Sequence, residues 1–174
     1  MDTGTTTLII DHARPFCEIT FPGTDRAAIA WLDTGGGAVI VGDRLVRDLA
    51  INAVEQEIDG ASRAVLEMPP VDLGGVALDL SQAIAVAHGS DVITEGVRAE
   101  AFIPARVMAR HHVIFDYPEN TFTVDSTATP IGTRVAARSY QSPGTGWPAV
   151  TVNLSGEEVN LLLDTGASCC MLSE

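Results

Sequence analysis

The feature that most constrains this chain is an internal repeat. Pro15-Phe16-Cys17-Glu18-Ile19-Thr20-Phe21-Pro22-Gly23 lies over Pro148-Ala149-Val150-Thr151-Val152-Asn153-Leu154-Ser155-Gly156, with the proline, three alternating apolar positions and the glycine in matching places. Each copy then returns through an apolar run, Ala27 to Leu32 or Val159 to Leu163, into Asp-Thr-Gly. Self-similarity of this kind implies that both stretches adopt one local fold. Cys17, Ile19 and Phe21 alternate with Glu18 and Thr20, the two-residue period of a half-buried strand. Pro22-Gly23-Thr24-Asp25 and Ser155-Gly156-Glu157 supply the turns.

The residues between the copies read as further β-structure. Ala38-Val39-Ile40-Val41 continues as a strand, and Asp43 can cap a short helix through Asn52 with Leu45 and Leu49 on its inner face. Asp59-Gly60 reads as a hairpin tip. Val71 to Leu78 and Ala83 to Val86 read as a strand pair, and Val113 to Tyr117 with Thr121 to Val124 as a closing hairpin around Pro118-Glu119-Asn120. The expected organisation is a complete all-β unit over residues 7–125, a linker rich in Ser, Thr, Pro and Gly over 126–146, and the opening strands of a second unit over 147–174. That last stretch is too short to enclose a core by itself. The chain is therefore expected to be a fragment of a longer protein, to dimerise through its first unit, or to dock its short second unit on the first.

Composition narrows the partners. The 174 residues carry 23 acidic against 10 basic side chains, a formal net charge of −13, which repels phosphate backbones and anionic lipid. Neither nucleic acid nor a membrane is an expected partner. The N-terminal residues lack the positive charge and apolar run of a secretory leader, and no apolar stretch is long enough for a membrane helix. Cys17, Cys169 and Cys170 read as free thiols packed in apolar surroundings in a reducing compartment, so the expected location is cytoplasmic.

The chemistry resides in the repeated tripeptides, Asp33-Thr34-Gly35 and Asp164-Thr165-Gly166. A carboxylate at the end of a buried strand is partly desolvated, which raises its pKa. Two such groups brought close together cannot both ionise easily, so they share a proton. The ionised member can take a proton from water while the protonated member polarises a scissile carbonyl. The threonine offers a hydroxyl across the pair, and the glycine allows the backbone to turn closely behind the carboxylate. A single Asp-Thr-Gly is an ordinary turn, as Asp2-Thr3-Gly4, with no strand before it, illustrates.

Leu161-Leu162-Leu163-Asp164-Thr165-Gly166-Ala167-Ser168 resembles the active-site signature of the retropepsin-like and pepsin-like aspartic proteases. The rest of the first unit resembles bacterial retropepsin-like domains arranged in tandem, the second truncated. The resemblance implies an all-β, retropepsin-like acid protease barrel and an aspartic-type endopeptidase that hydrolyses peptide bonds in a peptide or protein substrate. It implies Asp33 and Asp164 as catalytic residues, Thr34, Gly35, Thr165 and Gly166 as the supporting active-site loops, and no metal or other cofactor. It also implies a flap hairpin near Glu55 to Met68 and allows a homodimer that pairs two copies of Asp33. Two positions depart from the family pattern. Gly36-Gly37 stands where a small residue followed by Ser, Asp or Asn is expected, which loosens that loop. Phe102-Ile103-Pro104 stands where the backing strand has apolar-apolar-Gly, so that strand should differ locally. The alternative from another class is a catalytically inactive oligomerisation or binding module on the same fold.

The remaining reactive residues suggest little. His111-His112 lack the helical i, i+4 partner of a zinc site, and His12 and His88 stand alone. The glycine pairs do not have the spacing of a phosphate-binding loop.

Overall fold

The computed structural model describes residues 3–58, 60–125, 132–133, 135–139 and 146–171. Its elements follow in chain order. Strands β1 (Gly4–Thr7), β2 (Ile9–Asp11), β3 (Arg14–Thr20), β4 (Ala27–Asp33) and β5 (Val39–Val41) precede helix α1 (Asp43–Asp48). Next come β6 (Ala53–Ile58), β7 (Ala61–Leu66), β8 (Val71–Leu73), β9 (Val76–Leu78), β10 (Ala85–Ala87) and β11 (Ala101–Pro104). Helix α2 (Ala105–Met108), the hairpin β12 (Val113–Asp116) and β13 (Thr121–Val124), and strands β14 (Ala137–Ser139), β15 (Pro148–Leu154) and β16 (Glu157–Leu162) complete the order. The fold is mostly β, as the alternation predicts.

A ten-stranded sheet runs β6-β7-β10-β5-β11-β4-β3-β8-β9, with β2 added beside β3. The repeated hairpin forms its centre. Cys17 lies opposite Ala30 and Ile19 opposite Ala28, so every second side chain enters the core. Leu32, Val39, Val41, Leu45, Val71, Leu73 and Ile103 complete that core and are fully buried. Strands β4 and β11 run parallel, with Leu32 beside Ile103 and Asp33 beside Pro104. The sheet thus ends in the first Asp-Thr-Gly. A smaller sheet, β1-β13-β12, pairs the N-terminal strand with the closing hairpin, and β14-β15-β16 forms a third sheet.

Several local expectations change. Val71 to Leu78 is itself a hairpin, β8 with β9, because Gly74 (φ 61°) and Gly75 (φ 96°) both take left-handed backbone. A Cβ on Gly74 would strike the Thr5 backbone, so β1 passes directly over that turn. Strand β10 then pairs parallel with β5 and antiparallel with β7 instead. Helix α1 is shorter than expected and its N-cap is Gly42, not Asp43; Ala50 at φ 49° prevents it from reaching Asn52. Pro104 does not distort the backing strand. It is the last residue of β11 and the N-cap of α2, where a missing N–H leaves no ladder bond broken. Within the stretch expected as a linker, Ala137–Ser139 pairs antiparallel with β15, while 126–131, 134 and 140–145 lie outside the described residues. Asp59 lies outside them too, although Gly60 has the left-handed φ of 76° that suits a tip between β6 and β7.

Among the described residues, no helix is long and apolar enough to cross a membrane. Cys17 is buried, but Cys169 and Cys170 are exposed, against the expectation that they pack inside. Cys169 lies five positions after Asp164, at the exposed end of the loop.

Candidate active site

The two Asp-Thr-Gly loops face one another and hold each other through a reciprocal set of hydrogen bonds. The Thr34 amide donates to the Thr165 hydroxyl at 3.0 Å, and the Thr165 amide donates to the Thr34 hydroxyl at 2.9 Å. Each hydroxyl then donates onward to the strand entering the opposite loop: Thr34 Oγ1 to the Leu163 carbonyl at 2.5 Å, Thr165 Oγ1 to the Leu32 carbonyl at 2.7 Å. Each threonine side chain therefore satisfies one N–H and one C=O of the other loop. Two β-strand ends that would otherwise present orphan polar groups are paired with each other.

The carboxylates are oriented in the same symmetric way. The Gly35 amide donates to Asp33 Oδ1 at 2.7 Å, and the Gly166 amide to Asp164 Oδ1 at 2.8 Å. One residue later, Gly36 N–H donates to the Asp33 carbonyl and Ala167 N–H to the Asp164 carbonyl, both at 3.2 Å. The two carboxyl groups face each other across the loops. Side chains on Gly35 or Gly166 would overlap the carboxylate of the opposite aspartate, so both positions must lack a Cβ. Burial, first, and then the hydrogen bond that protonated Asp33 donates to the Asp164 carboxylate raise Asp33 to about 6; the Gly35 amide, which favours the ionised form, offsets part of that rise.

All six residues expected from the sequence, Asp33, Thr34, Gly35, Asp164, Thr165 and Gly166, thus come together in one place. Within the chain, Asp33 faces Asp164. Gly36 is held tightly, contrary to the expectation of a loosened loop. The Phe102 ring fills the space where its Cβ would be, and its carbonyl accepts from Trp147 Nε1 at 3.0 Å. Gly37 is exposed, and the nearest atom to a Cβ there would be on Trp147 at 3.9 Å.

Three of the surrounding residues, Trp147, Trp31 and Arg14, were not singled out by sequence. Trp147 ties the start of β15 to the first loop. Trp31, two residues before Asp33 on β4, shares its face of the sheet, and Phe16 and Phe102 flank it in register on β3 and β11. Arg14 stacks over the Trp31 ring. The period of two along β4 is the signal that would have brought Trp31 in.

Among the described residues, the histidines join no cluster of three or more metal-ligating side chains. His111 Nδ1 pairs with Asp125 at 3.0 Å and His12 Nδ1 with Asp11 at 2.9 Å. The hairpin β6–β7 projects from the sheet with most of its residues exposed. At its base, Val65, Met68, Leu80, Ile84 and Arg106 line an open cavity of about 470 Å³.

No protein-family model matches this chain, and no curated protein sequence matches it. Solved structures do. A retropepsin-like aspartic protease from Rickettsia conorii superposes with a TM-score of 0.49 at 9% identity, covering 71% of this chain and 91% of that one. The retroviral protease-like domain of Ddi1 from Leishmania major superposes with a TM-score of 0.45 at 15% identity, covering 69% and 89%.

Proposed function

We propose that this chain carries the active site of an aspartic endopeptidase, with Asp33 and Asp164 as a dyad that shares one proton. The observation that supports this reading most directly is the reciprocal threonine grip, which holds two facing carboxyl groups at the ends of two different sheets. Two carboxyl groups that lower each other's tendency to ionise supply an acid and a base at one point. The ionised member accepts a proton from an attacking water, and the neutral member donates a hydrogen bond to the scissile carbonyl as charge develops on its oxygen. The tetrahedral intermediate collapses when the proton passes to the leaving nitrogen. The amides of Gly35 and Gly166 keep each carboxylate from rotating out of the shared plane, and no covalent intermediate is needed.

A second reading, a binding module without activity, is favoured by one observation. The apolar face of β15 and β16 is only half covered, with Leu154 39% and Leu163 44% exposed, so one side of the cleft lacks the packed support the other side has. Peptide cleavage separates the two. Wild type is expected to cleave an unstructured protein substrate, to be blocked by a statine-type inhibitor, and to lose about 10²–10⁴ of its rate in either Asp33→Asn or Asp164→Asn. Cleavage that survives both substitutions unchanged would remove the dyad from the mechanism.

A further inference from the structure

Beside the dyad lies a corner of the sheet where two buried side-chain nitrogens, on Arg14 and Trp31, have no hydrogen-bond partner among the described residues. Phe16, Trp31 and Phe102 sit in adjacent register on β3, β4 and β11, and therefore on one face. Trp31 meets Phe102 edge-on at 5.3 Å and Phe16 at 5.9 Å between ring centroids. Phe102 closes the row against Gly36, so the aromatic wall begins where the first catalytic loop turns. At its other end the Arg14 guanidinium lies 5.1 Å from the Trp31 centroid. The register that sets Phe16 opposite Trp31, extended by two residues, brings Arg14 level with Asp33.

Arg14 makes no ion pair within 4.0 Å among the described residues, although Asp11 stands opposite it in the β2–β3 register and is held below the usual carboxylate range by His12 first and in part by the Arg14 charge. The other arginines of the first unit that form ion pairs, Arg26, Arg44, Arg47 and Arg110, each have an aspartate or glutamate within 4.0 Å; Arg14 has none among the described residues. Asp11, the nearest acidic influence, is engaged by His12 and by the Val97 amide. Arg14 Nε and Trp31 Nε1 are the two buried side-chain nitrogens with no hydrogen-bond partner among the described residues. Both residues nonetheless remain partly exposed. A guanidinium held over an indole, with no ion pair among the described residues, is arranged to receive a carboxylate.

We propose that Arg14, Trp31 and Phe102 form a substrate subsite next to Asp33 that selects a side-chain carboxylate, so that peptides with Glu or Asp close to the scissile bond are preferred. This rests on the peptidase reading for the position of the bond but not for the existence of the subsite. The stem of a glutamate would lie on the exposed part of Trp31, held in place by the buried Phe16 and Phe102, and its carboxylate would meet the guanidinium fork, while a lysine there would face a like charge.

Binding and cleavage are measured separately to keep the two ideas apart. The probes are C-terminally amidated octapeptides, identical except for one Glu, Gln or Lys moved through the four central positions, so that the varied side chain carries the only added carboxylate. Titrated by calorimetry into the Asp33→Asn protein, Glu at one position is expected to bind roughly tenfold or more tightly than Gln there, and Lys most weakly. Arg14→Gln should erase the Glu-over-Gln ratio, and Arg14→Lys should retain part of it, with both variants checked for an unchanged melting temperature. Equal binding of Glu and Gln peptides at every position, a preference that persists in Arg14→Gln, or no binding of any peptide would each overturn the subsite. If the ratio behaves as expected but wild type hydrolyses none of these peptides, the subsite stands and the peptidase reading falls.

Discussion

The same hairpin occurs twice in this molecule and has two different fates. In β3 and β4 the inward positions Cys17, Ile19, Phe21, Ala28, Ala30 and Leu32 are all at most 4% exposed. Their counterparts in β15 and β16 are Val150, Val152, Leu154, Val159, Leu161 and Leu163, and none is buried. Pairing register is nonetheless the same in both copies: Cys17 opposite Ala30, Val150 opposite Leu161. The loops that follow also match bond for bond. Local sequence is therefore sufficient for the hairpin and the Asp-Thr-Gly turn, and burial is a separate contribution that depends on what the rest of the chain lays over the inner face. In the first copy that cover comes from β5, β8 and β11 and from Leu45 of α1.

The largest test of this comparison is a pair of truncations. Leu32→Ala removes a fully buried side chain and is expected to cost about 2–5 kcal/mol in urea unfolding. Leu163→Ala at the equivalent position, 44% exposed, should cost less than about 1 kcal/mol. Equal losses would mean that the second inner face is covered in solution and that the contrast between the copies is only apparent.

The grip offers a second test, this time of symmetry. Thr34→Val strands the Thr165 amide and the Leu163 carbonyl; Thr165→Val strands the Thr34 amide and the Leu32 carbonyl. Each loss of a hydroxyl that serves two backbone groups is expected to destabilise by about 1–3 kcal/mol. The double variant should lose less than the sum, because the same four bonds bridge both loops. Additive losses would show that the loops are held independently.

Protonation sharpens the comparison further. Asp33 is raised to about 6, so the shared proton leaves as the pH passes that value. Cleavage should be strongest below pH 6 and fall by about tenfold per unit above it, as the doubly ionised dyad loses its acid. The stability consequence has a definite sign. A carboxyl whose folded pKa exceeds its unfolded value favours folding most at low pH, and that contribution is lost as pH rises from about 4 to about 6. Asp33→Asn should accordingly melt higher than wild type at pH 7 and show no such advantage at pH 3.5. A flat difference across that range would show that neither burial nor Asp164 raises Asp33.

Much of this was legible in the sequence because its carriers are local. The alternation of Cys17, Ile19 and Phe21, the closing hairpin and the duplicated Asp-Thr-Gly each announce a structure within a few residues. The contacts that were not legible are those that join distant segments. Nothing in Val71 to Leu78 reveals that β1 crosses Gly74, which is why a hairpin there resembled one long strand. Nothing near Cys169 and Cys170 reveals whether their side of the loop is covered. The aromatic row was half legible: Trp31 shares the two-residue period of Asp33, but its neighbours Phe16 and Phe102 arrive through sheet register alone.

Gly36 is the finest point of difference between the copies, because Ala167 occupies the matching place. Both residues donate the same backbone bond, to Asp33 and Asp164 respectively, and neither has the left-handed φ that would require glycine. The reason for glycine lies across the sheet, where the Phe102 ring rests against Gly36. Gly36→Ala is expected to push that ring out of its row, destabilise by about 1–3 kcal/mol and weaken peptide binding. Gly37→Ala, which meets nothing closer than 3.9 Å, should be nearly silent. Combining Gly36→Ala with Phe102→Leu should restore most of the lost stability, since the smaller side chain makes room for a methyl group. If the double variant is no better than Gly36→Ala alone, the glycine serves the backbone rather than the aromatic wall, and the two loops differ for a reason local to the first.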